Sequence, residues 1–302
     1  MTTISQTRDE LARPRWLPTD QWPFAIRRHA HRNERGELVD IHYTDEGDGP
    51  TLVFVHAGMW SYIWRDAITT LSAGFRCITL DFPGTGLSGG DRHDIDIDTY
   101  PAILNAVLDE RGVERATFVV HDLGGVVGVL AAARRPGRIT GLVAANSFSW
   151  VADGLALRAM FRFVSSRPTT VVLGTFRVIP RSTRTRMGVG RHLDNNGRAA
   201  FFGPYQQRTA SRNFHRVMRS ARHSPESFEQ AERALAGPLS QLPVLTIFGE
   251  KNDPFGFADR WKTLFPTAHG WTVTGGNHFP MCDDPIGFAH HITDWHHTEI
   301  PT

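Results

Sequence analysis

The sequence predicts an α/β fold in which a mostly parallel sheet is flanked by helices, with a helical cap inserted after the sixth strand. Short, nearly continuous apolar runs alternate with helical segments in the first half of the chain and again near its end. Such alternation is typical of parallel sheets, whose inner strands are buried on both faces. A strand-poor, arginine-rich stretch interrupts the alternation. The 302 residues suit one such domain with an inserted subdomain.

The strands and helices of the core are predicted in chain order. Residues 38–50 alternate apolar and polar positions and then turn, which favours an antiparallel strand with a hairpin. Apolar runs predict buried strands within 51–58, 76–90, 116–121, 139–147, 243–254 and 270–280. Helical spacing predicts helices at 99–112, 124–134, 257–265 and 286–297.

The same pattern divides the chain into three parts. Residues 1–35 form a leader that we expect to pack onto the core through Trp16 and Trp22. The core comprises residues 36–148 and 239–302. Residues 149–238 form the helical, arginine-rich cap.

Charge is unevenly distributed along the chain. The formal net charge is +2, yet residues 149–238 hold fifteen arginines against five acidic residues, a surplus of +10 that leaves −8 for the remainder. A basic helical surface is either simply solvated or faces an anionic partner or substrate. The arginines come without a helix-turn-helix, a zinc knuckle or an aromatic stacking platform, so nucleic-acid binding is not indicated.

Composition and the first residues favour a reduced, cytoplasmic protein. No run approaches the ~20 apolar residues that a membrane-spanning helix needs, and the opening "MTTISQTRDELARPRW" is too polar for a secretory signal. Cys77 and Cys282 are too few for a disulfide framework or a cysteine-based metal site. We therefore expect no membrane partner and no metal.

Polar or glycine-rich segments follow four of the predicted strands. Reactive groups of open α/β sheets gather at the carboxyl ends of the strands, so these segments are expected to meet. They are His56 to Gly58, Asp122, Gly249 to Asp253, and Gly275 to Pro280. A carboxylate at the end of a buried strand is costly to desolvate unless it is paired, used, or serves as a helix cap.

Four motifs make the resemblance to a family specific. "VVHDLGG" is similar to the nucleophile elbow of haloalkane dehalogenases and epoxide hydrolases, the branch of the α/β-hydrolase superfamily in which aspartate replaces serine. "HAGMWSYIWRD" resembles the oxyanion-loop segment of the dehalogenases. "LDFPGTGLSG" and "GGNHFPMCDDP" look like the family's glycine-rich loop and histidine segment. The resemblance spans about residues 38–295 and is weakest in the cap.

The resemblance implies a catalytic triad in the order nucleophile, acid, histidine. Asp122 is the expected nucleophile, which attacks an sp³ carbon and forms an alkyl ester. His278 is the expected base that activates water to hydrolyse this ester. Asp253 is the expected orienting acid; Glu250 competes with it, whereas Asn146, at the other position in the fold, cannot act as an acid.

Oxyanion donors are expected on both sides of the nucleophile. The backbone N–H of Leu123, directly after Asp122, is one candidate. The other should come from the loop after the strand at 51–58, with Gly58 preferred and Met59 next.

The leaving group is less well defined by the sequence. Haloalkane dehalogenases usually carry a tryptophan directly after the nucleophile to hold the departing halide, and here that position is Leu123. Trp60 and Trp150 are candidate replacements. Epoxide hydrolases typically use two cap tyrosines, and this cap contains only Tyr205.

Several functions stay open at this point. The sequence favours a hydrolase acting on a small organic substrate, with dehalogenation of a haloalkane or haloacid preferred because of the run from Ser61 to Arg65, and epoxide opening as the alternative. A non-hydrolytic ligand-binding protein, or an aspartate-elbow enzyme that isomerises or rearranges its substrate, is a further alternative. No cofactor is implied, since water is the second substrate, and we expect a monomer or homodimer.

Overall fold

An eight-stranded sheet forms the centre of the computed structural model, which describes residues 12–151 and 154–300. The strands are β1 (Arg27–Arg32), β2 (Leu38–Glu46), β3 (Thr51–Val55), β4 (Arg76–Leu80), β5 (Ala116–Asp122), β6 (Ile139–Ser147), β7 (Val244–Gly249) and β8 (His269–Val273). Their spatial order is β1-β2-β4-β3-β5-β6-β7-β8. β2 pairs antiparallel with β1 and β4, and the pairs from β4 to β8 are parallel.

Helices connect these strands and cover both faces of the sheet. They are α1 (Arg65–Leu71), α2 (Tyr100–Glu110), α3 (Gly124–Arg134), α4 (Leu155–Val164), α5 (Arg167–Thr175), α6 (Val178–Thr183), α7 (Asn195–Phe202), α8 (Arg208–His223), α9 (Pro225–Ala236), α10 (Phe257–Leu264), α11 (Pro280–Asp283) and α12 (Pro285–Glu299). Helices α4 to α9 lie between β6 and β7, so the predicted fold class, with a helical insertion after the sixth strand, is confirmed.

The central strands are buried on both faces, which explains their continuous apolar sequences. Val53 of β3 and Phe118 of β5 contribute to the apolar cluster on one face of the sheet. Their neighbours Phe54 and Val119 contribute to the cluster on the other face. Successive side chains of a strand point to opposite faces, so a strand covered on both sides needs apolar residues at nearly every position.

The leader contains one strand that the sequence did not predict. β1 reads "RRHAHR" and lies at the edge of the sheet, where charged side chains reach solvent and no apolar alternation is required. Ahead of it, Trp22 is fully buried and stacks on Tyr62, with ring centroids 6.1 Å apart. Trp16 lies edge-on to Trp60 at 5.8 Å. Residues 1–11 of the expected leader lie outside the described part of the chain.

None of the helices within the described residues combines the length and apolar character that crossing a bilayer requires. The two cysteines, Cys77 and Cys282, are both buried, and neither forms a disulfide.

Candidate active site

The turn from β5 into α3 presents Asp122 at the carboxyl end of the sheet. Asp122 has φ of 50°, in the left-handed region that aspartate adopts more readily than most side chains. The helix that follows can approach the sheet only because glycines begin it. A Cβ at Gly124 would lie 2.2 Å from the carbonyl oxygen of Val55, and one at Gly125 would lie 2.4 Å from that of Phe148. Backbone strain of this kind is common at functional sites.

Asp122 and His278 meet across this edge of the sheet. His278 Nε2 lies 3.1 Å from Asp122 Oδ2. The two side chains are 26% and 35% exposed, so both are accessible to a small molecule. The structure therefore brings together the two residues that the sequence predicts as nucleophile and base.

The Asp122 carboxylate is held in its charged form. Burial alone raises the pKa of this carboxyl, but the hydrogen bond from His278, the neighbouring histidines and the N–H of Leu123 outweigh burial and keep the pKa below its ordinary value. An ionised oxygen is available as a nucleophile at neutral pH. The contact also places the Leu123 N–H, one of the predicted oxyanion donors, against the reacting carboxylate.

A second histidine lies beside this pair but is kept neutral. His121 packs with its ring centroid 4.7 Å from that of His278, and its Nδ1 contacts the carbonyl oxygen of Ala145 at 2.8 Å. Burial, followed by the charge of His278, lowers the pKa of His121 to about 3. His121 therefore adds a polar wall to the site without competing as a base.

The loop that carries His278 is fixed by an asparagine at the end of β6. Asn146 Nδ2 donates to the carbonyl oxygens of Asn277 and His278 at 2.9 and 3.1 Å. Its Oδ1 accepts a hydrogen bond from the backbone of Gly249 at 2.9 Å. Asn146 has φ of 41°, a conformation in which asparagine is enriched. Asn146, which cannot act as an acid, therefore links the ends of β6 and β7 to the loop that follows β8.

The expected orienting acid does not contact His278 in the structure. Both oxygens of Asp253 accept backbone hydrogen bonds at the start of α10, from Phe257 at 2.7 Å and from Ala258 at 2.9 Å. The preceding residue takes the expected place, with Asn252 Nδ2 lying 3.1 Å from His278 Nδ1. In the structure the start of α10 binds the Asp253 carboxylate, and the side chain beside His278 Nδ1 is the amide of Asn252.

The amide of Asn252 changes what the second partner of His278 does. A carboxylate stabilises both the Nδ1-protonated tautomer and the positive charge that develops on the ring. A neutral amide supplies orientation, and rotation of its last bond exchanges a donor nitrogen for an acceptor oxygen. Asn252 thus supports the imidazole with less charge stabilisation than an acid provides.

The other alternative acid, Glu250, serves the turn after β8. Its Oε2 accepts a hydrogen bond from the backbone N–H of Gly275 at 2.6 Å. Its side chain is therefore also used to shape the loop that precedes His278.

The buried carboxylate of Asp81 fixes the loop after β3 through hydrogen bonds. Asp81 Oδ1 accepts hydrogen bonds from the backbone and hydroxyl of Ser61, both at 2.7 Å, and Oδ2 contacts His42 Nδ1 at 2.9 Å and the backbone of Leu87 at 2.9 Å. Burial raises the pKa of Asp81, but His42 and His56 outweigh it, so the pKa lies well below its usual range. The loop with Gly58 and Met59 is thereby built on a fixed base.

Gly58 and Met59, the two candidate residues of this loop, differ in their contacts with the cap. Gly58 has φ of 91°, and a Cβ there would lie 3.3 Å from the Phe214 ring of the cap. Met59 is buried, and its sulfur accepts a contact from the Tyr205 hydroxyl at 3.4 Å. Gly58 therefore allows the cap to approach the loop closely, and both residues stay candidates for the second oxyanion donor.

The polar hydrogens of two leaving-group candidates are already used. Trp60 is fully buried, and its Nε1 donates to the carbonyl oxygen of Phe201 at 3.0 Å. The Tyr205 hydroxyl is directed at the Met59 sulfur, and burial raises its pKa far above the ordinary value. The expectation that Trp60 or Tyr205 stabilises a leaving group therefore does not match the bonds that the structure gives them.

The third candidate, Trp150, lies in an aromatic cluster at the base of the cap. Its ring packs edge-on against Trp261, with centroids 5.3 Å apart, and the Arg260 guanidinium lies 4.7 Å above it. Trp150 is 1% exposed. These contacts indicate a packing role for the ring.

One cap residue, Arg191, bonds directly to the loop that carries His278. Arg191 Nη2 donates to the carbonyl oxygen of Gly275 at 2.7 Å, and its Nε lies 3.1 Å from Asp283 Oδ1. Burial raises the pKa of Asp283, while Arg191 and the Asn277 N–H oppose the shift. The cap is therefore joined to the loop on both sides of His278.

Within the described residues, no group of three or more histidine, cysteine, aspartate or glutamate side chains is arranged to hold a metal ion.

Comparisons with known proteins identify the fold family of the chain. A family model described as the alpha/beta hydrolase fold matches residues 50–285. The chain is 30% identical to haloalkane dehalogenase 2 of Mycobacterium tuberculosis over 240 residues, covering 75% of this chain and 78% of that protein. A 112-residue segment, 35% of each chain, is 38% identical to a cis-3-alkyl-4-alkyloxetan-2-one decarboxylase of Shewanella oneidensis.

Solved structures show the same fold. A loop variant of a haloalkane dehalogenase from Bradyrhizobium elkanii superposes with a TM-score of 0.72 at 22% identity, covering 89% of this chain and 96% of that one.

Proposed function

Because the chain belongs to the alpha/beta hydrolase fold family, we propose that it is a hydrolase that acts through an ester between its substrate and Asp122, with a carbon–halogen bond as the bond it cleaves. The observation that carries this proposal is the partly exposed Asp122 carboxylate, 3.1 Å from His278 Nε2 at a strained strand-to-helix turn.

The first step is displacement at carbon. A carboxylate oxygen of Asp122 attacks the carbon that bears the leaving group, a carbon–oxygen bond forms, and the halide departs with the bonding electron pair. A carboxylate suits this step because it is a charged nucleophile that needs no deprotonation. The lowered pKa of Asp122 keeps that charge in place.

The second step is hydrolysis of the ester. His278 Nε2 accepts a proton from water as the water oxygen attacks the Asp122 carbonyl carbon. The tetrahedral oxyanion is stabilised by the Leu123 N–H and by a second donor from the loop with Gly58 and Met59. As the intermediate collapses, the alkoxide leaves as the alcohol with the proton from His278, and the new carboxyl group loses its proton to solvent. This restores the Asp122 carboxylate with one water-derived oxygen.

The leaving-group side of the proposed site is weakly equipped. Leu123 supplies no indole, and the Trp60 N–H is bonded to Phe201. With fewer donors for the departing ion, ester formation depends more on the intrinsic leaving ability of the halide. We therefore expect bromo- and iodo-substrates to react faster than their chloro-analogues.

Opening of an epoxide is less well supported by the contacts. The oxygen of an opening epoxide requires a proton donor, and the hydroxyl of Tyr205 is buried against Met59. The family resemblance alone keeps this alternative in the substrate panel.

A second candidate is loss of carbon dioxide from a four-membered lactone, the substrate class that the name of the Shewanella relative states. Two observations favour testing this reaction as well: the 38% identity over the matched segment, and the absence of an indole directly after Asp122. This reaction takes up no water, so product mass distinguishes it from hydrolysis.

The test is a substrate panel of haloalkanes, haloacids, epoxides and alkyl-substituted oxetan-2-ones. Wild type is compared with Asp122→Asn, and Asp253→Asn is the matched control because it changes a nearby carboxylate that bonds to the start of α10 and not to His278. We expect halide release from wild type and Asp253→Asn, and at least a ~10⁴-fold loss in Asp122→Asn. Full turnover by Asp122→Asn would exclude the proposal.

A further variant isolates the intermediate. His278→Gln removes the base for the second step, so the ester should form and persist. Intact-protein mass spectrometry is then expected to show an increase equal to the substrate minus the halide. An active substrate that leaves no adduct on His278→Gln argues against covalent catalysis.

A further inference from the structure

Exposed apolar side chains are concentrated in one sequence segment of the cap. Ten large apolar residues within the described part of the chain are exposed, and eight of them fall between Leu155 and Met187. Leu155, Phe163, Phe176 and Met187 are 84%, 64%, 62% and 78% exposed. The others are Met160, Val171, Val172 and Val178. We call these eight side chains and the arginines between them the cap face.

The cap face belongs to helices that are anchored on their other side. α4 and α5 both pack on α8. His215 Nδ1 contacts the carbonyl oxygen of Val164, and Arg212 Nη2 donates to Thr175 Oγ1, both at 2.9 Å. In α4, Leu157 and Phe161 are buried and account for the packing. The exposed apolar residues are therefore additional to those that fold the cap.

The charge of the same segment has a single sign. Residues 154–187 contain seven arginines and no acidic residue. Arg158 and Arg162 lie one turn apart on α4, and both are exposed. Apolar side chains interleaved with arginine are the composition of surfaces that insert shallowly among anionic lipid headgroups.

A hollow beside α4 repeats this combination of apolar and basic groups. A cavity of about 1020 Å³ lies between α4 and the junction of α8 and α9. Phe148, Phe161 and Phe228 contribute apolar walls. Arg158, Arg162, Arg222 and His223 also line the cavity, and all four are exposed. Such a hollow fits an apolar chain that ends in an anionic group.

Other occupants of the cap face fit less well. A second copy would bring seven arginines against seven, and like charges in contact are unfavourable. Nucleic acid would neutralise the arginines but leave Leu155, Val171 and Met187 exposed to water. Residues 1–11 carry only two acidic side chains and one arginine, too little charge to match this face.

We propose that the cap face binds peripherally to anionic phospholipid bilayers, with its arginines at the headgroups and its apolar side chains at the acyl boundary. The sequence predicts no membrane partner because it lacks a spanning segment, and shallow binding by a folded surface requires none. This inference is independent of the chemistry at Asp122.

The test is co-sedimentation of the full-length protein with vesicles. Phosphatidylcholine vesicles are compared with vesicles containing a third phosphatidylglycerol, at low and high salt. Arg162→Gln combined with Arg181→Gln removes two charges, and Phe163→Ser combined with Phe176→Ser removes apolar contacts. Matched controls are Arg115→Gln with Arg134→Gln, and Leu38→Ser with Ile286→Ser, which alter exposed residues of the core.

Wild type is expected to bind the anionic vesicles, and binding should fall as salt screens the charges. The arginine pair on the cap face should lower the partition coefficient roughly thirtyfold, while both control variants bind like wild type. Failure of wild type to bind, or equal losses in face and control variants, overturns the proposal. Vesicle binding that appears only after deletion of residues 1–11 also overturns the proposal. That result would mean that this segment occupies the cap face in the full-length protein. If wild type instead proves to be a dimer that does not bind vesicles, while the Phe163→Ser, Phe176→Ser variant is a monomer, the cap face is an interface with a second copy.

Discussion

The core and the cap of this protein use polar residues in different ways. In the core, Asp122 bonds to His278, and Asp81 and Asn146 each bond to two or more other segments of the chain. In the cap, exposed arginines such as Arg162 and Arg186 lie among apolar side chains that have no packing role in the fold. The comparison indicates that hydrogen bonds at the strand ends fix the positions of Asp122 and its neighbours, whereas part of the cap surface carries side chains that the fold does not require.

Arg191 marks the place where the two regions meet. It is a cap arginine, yet it bonds to the loop of His278 through Gly275 and Asp283. Arg191 is therefore bonded as the polar residues of the core are, and differs in this from the exposed arginines of the cap. The division therefore follows contacts rather than sequence position.

The largest expected effect concerns stability in the core. Asp81→Asn should lower the free energy of unfolding by about 3–5 kcal/mol, since it breaks a buried pairing with His42 and His56. Arg162→Gln in the cap should change it by less than about 0.5 kcal/mol. Urea unfolding measures both values. Equal costs for the two variants would contradict the contrast between the regions.

The stability that Asp81 contributes should depend on pH in a defined direction. Its folded pKa lies below the ordinary value of an aspartate, so the contribution is complete above the unfolded pKa, about 3.9. It is lost as the pH falls further towards the folded value. Titration of the Asp81 carboxyl should therefore add no pH dependence to the free energy of unfolding between pH 5 and 7, which urea unfolding at several pH values measures.

Asn146→Ala tests the positioning of the catalytic loop. Loss of its three hydrogen bonds frees the carbonyl oxygens of Asn277 and His278 and should reduce kcat about 10- to 100-fold, because the imidazole loses its fixed position. Asn146→Asp, which keeps the acceptor but not the donor, should be similarly impaired. Steady-state kinetics with a bromoalkane measures the effect, and unchanged kcat in both variants would show that His278 is held by other contacts.

Asn252→Asp should sharpen the distinction between orienting and charge-stabilising partners. A carboxylate beside His278 Nδ1 would stabilise the imidazolium and should speed hydrolysis of the ester about tenfold. Decay of the ester after a single turnover measures this step, and Asp253→Asn is the control that should leave it unchanged. A slower decay in Asn252→Asp would mean that the amide is the better partner.

The pH dependence of ester formation gives a smaller effect within the core. Since His278 holds the pKa of Asp122 below its ordinary value, the burst of halide release should keep its rate from pH 8 down to about pH 5. In His278→Gln the acid limb should move to higher pH. A limb near pH 7 in the wild-type burst would show that the nucleophile is not ionised as described.

The order of the main elements follows from the sequence because burial imposes it. Strands β3, β5 and β6 are predicted to within three residues of their observed ends, since both faces must be apolar. The elbow at Asp122 is predicted from a strand, a carboxylate and two glycines whose Cβ positions the neighbouring backbone occupies. Edge strand β1 escapes prediction because none of its side chains is fully buried and its sequence shows no apolar alternation.

The hydrogen-bond partners of individual side chains depend on tertiary contacts, which the local sequence signals only in part. Asp253 and Asn252 differ by one position in a loop, and the start of α10 decides which of them faces His278. The N–H of Trp60 is taken by Phe201, 141 residues away. An upstream aspartate facing free helical N–H groups is the local signal that could have identified the role of Asp253.

The most direct measurement is transfer of labelled oxygen to Asp122. Wild-type protein turns over a bromoalkane in ¹⁸O-labelled water through several cycles, and the peptide with Asp122 is then analysed by mass spectrometry, with the Asp253 peptide as the internal reference. The account predicts that ¹⁸O accumulates in the Asp122 carboxylate, because each cycle returns one water oxygen to it. Steady turnover with an unlabelled Asp122 would contradict the account.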